Sequence, residues 1–200
     1  EQAHEEVENK LQKDVEVRKQ INFDPGYLEK SWIKNCFAVG LSANFVEPLE
    51  ASSIGTSIQQ AFLLSHYIIN YNQKTIDKFN KTMEHIMLNI RDFICLHYIT
   101  PRKEKFWRTQ VMPDSLKDRL ELFKTRLPIR EDFSETNYLL FRDPNYIVVM
   151  HGLGLIDIEK IKKQYSMLNN NFKELIKIKY DDTYSYVTHK EWLKKVRHEV

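Results

Sequence analysis

Hydrophobic positions along this chain recur mostly at intervals of three and four, the spacing that puts side chains on one face of an α-helix. The clearest stretch runs from about Thr75 to Tyr98, where Ile76, Phe79, Met83, Ile86, Ile90, Phe93 and His97 form one stripe. At 1.5 Å per residue such a helix extends about 36 Å, enough to cross a whole domain. A preceding helix is predicted to begin near Ser52 or Ser53, either of which can cap it, with Ile54, Ile58, Ala61, Phe62, Ser65 and Ile69 on one face. The polar break NYNQ separates the two. Further on, PDSLKDRLELFKTRL aligns Leu116, Leu120, Phe123 and Leu127, with prolines marking both ends. The tail reads as two more helices. One passes through Ile158, Ile161, Tyr165, Leu168 and Phe172, and the other is capped by Thr188 with Glu191 in capping-box register.

The remaining segments are shorter or less periodic. Residues 1–13, with Val7 and Leu11 among many charges, predict a solvated helix, and VRKQINFDPG a strand ending in an Asp-Pro-Gly turn. Cys36 to Val39 reads as a buried strand stopped at Gly40. YIVVMHGLGLID reads as a further buried strand or helix running into a Gly-x-Gly turn. Residues 129–147 are polar, aromatic and interrupted by Pro144, which predicts a long ordered loop with at most one helical turn; such a loop either lines a binding site or simply connects. No internal repeat or low-complexity linker is present. The fold class expected is mainly α with a few strands.

Composition narrows the partners. A chain of 200 residues with 42% apolar and 12% aromatic content can fill a substantial core, as one large domain or a domain and a half. Its net charge of +2 gives no footprint for nucleic acid or an anionic membrane. No run of about 18 apolar residues appears, and EQAHEEVENK lacks the basic-then-apolar order of a signal peptide. Cys36 and Cys95 lie far apart without a CxxC pattern, which predicts two reduced, buried thiols and a cytoplasmic address. The first residue, Glu1, rather than methionine, points to a fragment or a processed product.

Most candidate chemistries fail on spacing. His66, His85, His97, His151 and His189 never pair at metal-ligand intervals, so no metal site is expected. Gly152-Leu-Gly154 lacks the rest of a dinucleotide fingerprint, and neither a Gly-x-Ser-x-Gly elbow nor a Walker sequence occurs. Phe106-Trp107 and Tyr184 with Tyr186 are expected in the core or at interfaces. NCFAVGLSANFVEPLEASSIGTSIQQ survives. A strand stopped at a glycine lets a ligand approach the backbone, and a helix starting at Ser52 or Ser53 aims N–H groups and partial positive charge at the same space, favourable for a halide or a reduced flavin. Pro48 would stiffen the turn that aims Glu50. Equally, Glu47 and Glu50 are simply favourable charges at a helix start.

WIKNCFAVGLSANFVEPLEASSIG resembles the flavin-dependent tryptophan halogenase family, whose signature is W-x-x-N-x-x-x-x-G-L-x-x-x-F-x-E-P-L-E-x-[ST]. Trp32, Asn35, Gly40, Leu41, Phe45, Glu47, Pro48, Leu49, Glu50 and Ser52 match it. The likeness extends through EVENKL and INFDPG on one side and DFICLHY, FWR and VVMHGLG on the other, about three quarters of the chain. It implies the carboxyl-terminal half of a halogenase. Residues 1–60 would then end an α/β FAD-binding module with its last strand-turn-helix, and 61–200 would form the helical part that houses the substrate.

The resemblance also implies chemistry. Reduced FAD and oxygen oxidise a halide, and hypohalous acid travels to an electron-rich aromatic ring that the glutamate of P-L-E faces. Glu50 would polarise the halogenating species or take the proton from the cationic ring. The backbone N–H groups of Ser52 and Ser53 would hold the halide, and Gly40, Leu41, Ala51 and Ile54 would lie along the flavin; local packing is the other reading of these four. Phe45, Asn137, Tyr138 and Phe141 are the candidate substrate contacts. Family members that take free tryptophan carry paired tyrosines and a Phe-Trp step in the loop corresponding to 129–147, which here offers Asn137, Tyr138, Phe141 and Tyr146 instead. Another indole, a phenol or a related aromatic is therefore expected in preference to tryptophan itself.

Departures from the family pattern lie at Ala51, where serine is common, and at Ser52-Ser53, where Thr-Gly is. The dinucleotide G-x-G-x-x-G, the W-x-W-x-I-P stretch and the catalytic lysine all precede the matched region, so this chain alone does not complete the site. The implied partners are a separate flavin reductase, the N-terminal FAD-binding half of the same polypeptide, an aromatic small molecule and a homodimeric copy. Two alternatives stand beside the halogenase: a non-catalytic helical interaction module derived from one, and a related flavin monooxygenase that hydroxylates.

Overall fold

The computed structural model describes residues 2–22, 24–185 and 187–197. They fall into two compact units, Glu1–Ile94 with Glu135–Leu140, and Cys95–Ser134 with Phe141–Val200. The expected division at 60/61 lies inside a helix of the first unit. Helices dominate and the strands are short, as the periodicity required. Among the described residues, no helix is long and apolar enough to cross a membrane.

In the first unit, α1 (Gln2–Leu11) is a charged, solvated helix. The strand expected over VRKQINFDPG does not form. Val17 and Ile21 are 60% and 66% exposed, and the segment has no neighbouring strand to take its backbone hydrogen bonds among the described residues. Pairing starts only beyond the Asp-Pro-Gly turn. Four two-residue strands follow: β1 (Gly26–Tyr27), β2 (Trp32–Ile33), β3 (Cys36–Phe37) and β4 (Asn44–Phe45). β1 pairs antiparallel with β4, Gly26 opposite Phe45, while β2 and β3 form a hairpin with Trp32 opposite Phe37 and Lys34 at φ 50° in its turn. The buried strand expected over Cys36 to Val39 is thus a surface hairpin arm. Cys36 is exposed and Cys95 half-buried, so neither thiol is the fully buried one expected.

What anchors this hairpin is one residue. Trp32 is 3% exposed and packs edge-on to Phe37 and Phe79, each with ring centroids at 5.6 Å, and stacks on Tyr71 at 6.0 Å. Its backbone is clamped as well: Trp32 N donates to Asn80 Oδ1 at 3.0 Å, and Asn80 Nδ2 donates to Trp32 O at 2.8 Å. Asn80 and Phe79 belong to α3 (Gln73–His97), which follows α2 (Ser52–Tyr67). Along α3, Ile76, Phe79, Met83, Ile86, Ile90 and Phe93 are all buried, the stripe read from sequence.

The second unit holds α4 (Lys105–Arg108), α5 (Asp114–Phe123), α6 (Asp143–Gly152), α7 (Ile158–Met167), α8 (Asn170–Ser185) and α9 (His189–Val196). YIVVMHG is therefore helical, and its helix starts earlier than the pattern suggested. Pro144 lies in the first turn of α6, where a missing N–H costs nothing, so the residue read as a loop interruption instead opens a helix. The core pairs Phe133 with Tyr146 at 4.9 Å and sets Phe123 edge-on to Tyr146, beside fully buried Leu116 and Met150. Arg126 closes the loop over this cluster through a two-pronged pair with Asp132, at 2.8 and 2.5 Å, and Ile129 N adds a third bond to the same carboxylate. The single helix expected through Ile158 to Phe172 divides near Leu168, where Asn169 Oδ1 accepts from Phe172 N and starts α8. Thr188 and Glu191 form the capping box as expected. Phe106 is 56% exposed against Tyr98 and Trp107 rather than buried. The Tyr184 and Tyr186 side chains lie outside the described residues.

Two tests follow from these clamps. Asn80→Ala leaves both Trp32 backbone groups buried without partners and is expected to cost about 3 kcal/mol, read from urea denaturation. The Arg126 hydrogen bond holds the Asp132 carboxyl below the usual aspartate range. A depressed folded-state value stabilises the fold above the unfolded-state value, about 3.9, and that contribution is lost as pH falls below it. Denaturation midpoints of the parent chain should therefore drop more steeply from about pH 5 to pH 3 than those of Asp132→Asn.

Candidate active site

The chain leaves β4 through Glu47 and Pro48 and makes a tight turn, Leu49–Ala51, before α2. Inside that turn Glu50 lies at φ 59°, ψ 14° and Ala51 at φ 50°, ψ 30°. Both are left-handed and neither is glycine, a conformation that costs roughly 1–2 kcal/mol per residue with a Cβ. Consecutive residues of this kind persist only where the surroundings hold them, and such strain clusters at functional sites. Glu50 is exposed at the helix start.

Ser52 and Ser53 do not cap α2 as expected. Ala51 holds the cap position with no side-chain bond, and Ser52 is the first helical residue. Ser52 N donates back to Leu49 O, which closes the turn, and the Ser52 hydroxyl reaches Glu47 O at 3.4 Å. Of the two backbone donors expected for a halide, that of Ser52 is thus already engaged. The Ser53 hydroxyl is buried and has no hydrogen-bond partner among the described residues.

The glycine expected to stop a strand has a sharper task. Gly40 sits at φ +63° and opens the turn Gly40–Ser42, which the Ser42 hydroxyl closes on Val39 by accepting from its N–H at 3.1 Å and donating to its carbonyl at 2.8 Å. Gly40 N donates to Gln60 Oε1 at 2.9 Å. Gln60 and Thr56 are 0% exposed on α2, and the Thr56 hydroxyl lies 2.9 Å from Ser52 O and 3.1 Å from Asn44 Oδ1. One side of α2 therefore grips both the Gly40 turn and β4. Its opposite, apolar side faces outward: Ile54, Ile58 and Phe62 are 66%, 65% and 53% exposed, Ile69 in the turn that follows is 77% exposed, and Leu41 is 72% exposed beside the Gly40 turn.

These contacts place Gly40 and Leu41 along the side of α2, Phe45 beside it on β4, and Glu50, Ala51, Ser52, Ser53 and Ile54 at its start. Tyr138 meets α2 through its carbonyl, which accepts from Gln59 Nε2 at 2.7 Å, and the neighbouring Asn137 is exposed. Phe141 belongs to the second unit and is 7% exposed, and Tyr146 there is 0% exposed. Sequence reasoning missed Asn44, Thr56, Gln59 and Gln60. The one available signal was the polar spacing of Ser52, Thr56 and Gln60 every four residues, opposite the isoleucine stripe. Among the described residues no group of three or more His, Cys, Asp or Glu side chains converges as a metal site.

Comparison with known proteins decides the family. The family model described as tryptophan halogenase matches residues 1–169. The chain belongs to the flavin-dependent tryptophan halogenase family. The 7-chloro-L-tryptophan 6-halogenase of Kutzneria sp. is 36% identical over 155 residues, which cover 72% of this chain and 29% of that enzyme. A tryptophan halogenase structure from Shewanella frigidimarina aligns with TM-score 0.75 and 27% identity, over 92% of this chain and 36% of that one. A flavin-dependent halogenase from Xanthomonas campestris aligns with TM-score 0.67 and 29% identity, over 78% and 32%. The chain thus spans under a third of the length of the curated halogenases it matches. The family match stops just before α8, so α8 and α9 lie beyond it.

Strain at Ala51 gives a direct test. Ala51→Gly removes the Cβ from a left-handed position and is expected to stabilise the chain by about 1 kcal/mol, against the loss that glycine usually brings beside a helix. An unchanged or lower urea midpoint would show that the turn is not strained.

Proposed function

We propose that this chain is the carboxyl-terminal part of a flavin-dependent halogenase that modifies an electron-rich, indole-type aromatic. The observation that carries the reading is the left-handed pair Glu50-Ala51, held in the EPLEASS signature at the start of α2. The left-handed backbone sets the direction in which the Glu50 side chain leaves the turn, which suits a group that must meet one ring carbon.

The residues present fit a flavin and a halide. Leu41 and Ile54 offer exposed apolar side chains for a flat ring system to cover, and the positive φ of Gly40 keeps that approach clear of a Cβ. The buried Ser53 hydroxyl supplies a donor suited to a small anion. Bound reduced flavin would supply, with oxygen, the oxidation of halide to a halogenating species. Glu50 then accepts the proton from the ring carbon that has gained halogen, restoring aromaticity, or polarises the incoming species. The Gly40 turn, pinned by Gln60, sets the wall along which the cofactor lies.

The outward apolar face of α2 supports the assignment of a missing half. Ile54, Ile58, Phe62 and Ile69 form a stripe that an isolated chain leaves in water, and most of each curated relative's length lies outside the match. The flavin-binding portion covers that stripe, and a separate reductase delivers the reduced cofactor. Asn137 and Tyr138, without the paired tyrosines of the tryptophan-binding members, favour a substrate lacking the amino-acid head.

With the flavin-binding portion, reduced FAD, oxygen and bromide supplied, Glu50→Gln should lower bromination of indole by two orders of magnitude or more while FAD binding is unchanged. Equal turnover would overturn the role of Glu50, and product formation without halide would mean a monooxygenase. In parallel assays indole should be turned over faster than free tryptophan; a strong preference for tryptophan would sink the substrate assignment.

A further inference from the structure

Residues Glu135–Leu140 pack with the first unit although the chain on both sides of them belongs to the second. Two contacts on α2 account for this. Gln59 Nε2 donates to Tyr138 O at 2.7 Å, across 79 positions of sequence. One helical turn earlier, on the same face, Gly55 lies against Leu140: a Cβ built there would stand 3.1 Å from Leu140 Cδ1 and 3.4 Å from Cδ2.

A glycine inside a helix costs about 1 kcal/mol relative to alanine, so its presence needs a cause. Backbone freedom is not that cause, because the positive-φ glycines are Gly40 and Gly154. The space taken by Leu140 is. Gln59 is equally constrained: its Oε1 is buried with no hydrogen-bond partner, so the bond from Nε2 alone orients the amide. Leu139, 6% exposed, anchors the segment further, while Asn137 and Tyr138 stay at the surface.

We propose that Gly55 and Gln59 are positioning residues that fix the segment 135–140 on α2, the helix that begins beside Glu50, and thereby set how an aromatic substrate is held by Asn137 and Tyr138. This rests on the halogenase reading for the reaction, but the clamp itself does not. Five residues after Glu50, Gly55 links the two ends of the site: whatever moves Leu140 moves Tyr138 relative to the helix that carries the carboxylate.

The experiment compares the parent chain with Gln59→Glu, which keeps size but places an acceptor against the Tyr138 carbonyl, and Gln59→Lys, which restores an N–H donor of similar reach. Amide hydrogen exchange of residues 136–140 is read first. Loss of one net hydrogen bond should raise it roughly tenfold in Gln59→Glu and much less in Gln59→Lys. Unchanged exchange in Gln59→Glu overturns the clamp. With the flavin-binding portion supplied, KM and Kd for indole are then measured. The expected result is a rise in both of several-fold with kcat little changed, reversed by Gln59→Lys; faster exchange with unaltered KM and Kd overturns the positioning role and leaves the halogenase reading intact. A parent protein that binds indole without halogenating it overturns the halogenase reading, and the Kd comparison still decides the positioning role. A parent that neither binds nor halogenates indole overturns both the halogenase reading and the positioning role, while the exchange measurement alone decides the clamp. Gly55→Ala, which pushes on Leu140 by a few tenths of an ångström, should shift the ratio of ring positions halogenated; an identical ratio removes Gly55 from the proposal.

Discussion

The buried polar side of α2 is the constraint on which the rest of this site depends. A helix normally turns its apolar stripe inward, yet here Ser52, Thr56 and Gln60 are buried while Ile54, Ile58 and Phe62 are exposed. The reason lies in the segments packed beneath it. The Gly40 turn leaves the Gly40 N–H without a partner inside the turn, and a buried N–H left alone costs as much as a lost hydrogen bond. Gln60 Oε1 accepts from Gly40 N, and the Thr56 hydroxyl donates to the side-chain oxygen of Asn44 on β4. Inside a low-dielectric interior such bonds are stronger and more directional than apolar contact, so they fix the rotation of α2 about its own axis. The exposed isoleucines are the consequence.

α3 supplies the second fixed body of the first unit. Its stripe fills the core, and Asn80 reaches from it to hold both backbone groups of Trp32, so the hairpin that precedes Gly40 cannot slide. With the hairpin pinned to α3 and the Gly40 turn pinned to α2, the chain between them has little freedom. The left-handed geometry of Glu50 and Ala51 is what remains when β4 and α2 are both held and six residues must join them. Strain here is imposed from both ends, which is the condition under which it survives.

Legibility from sequence followed the same division. α3 was readable because six apolar positions and His97 keep one period over about six turns, and the capping box at Thr188 because two side chains three apart make it locally. The strands were not: two residues cannot show a period of two, and the VRKQIN segment alternates without any strand to pair with. On α2 the stripe itself was readable but not which side meets the core, since period says which residues share a face and nothing about what covers it. Pro144 was misread because proline both breaks and begins helices, and only the turn after Arg142 decides between them. For the candidate site, the EPLEASS stretch drew attention to Glu50, whereas the left-handed pair was invisible because neither residue is glycine. Gln59 and Gln60 carry no chemistry of their own and reveal their part only through partners 79 and 20 residues away.

A left-handed backbone at Glu50 and Ala51 sets where α2 starts relative to β4, and a helix start is where unpaired N–H groups and partial positive charge collect. The polar side of α2 controls that geometry from beneath: Gln60 and Thr56 fix the rotation of the helix, and the rotation fixes the direction in which the Glu50 turn leaves it. One face of the helix thus places the turn, while the other presents Ile54, Ile58 and Phe62 outward.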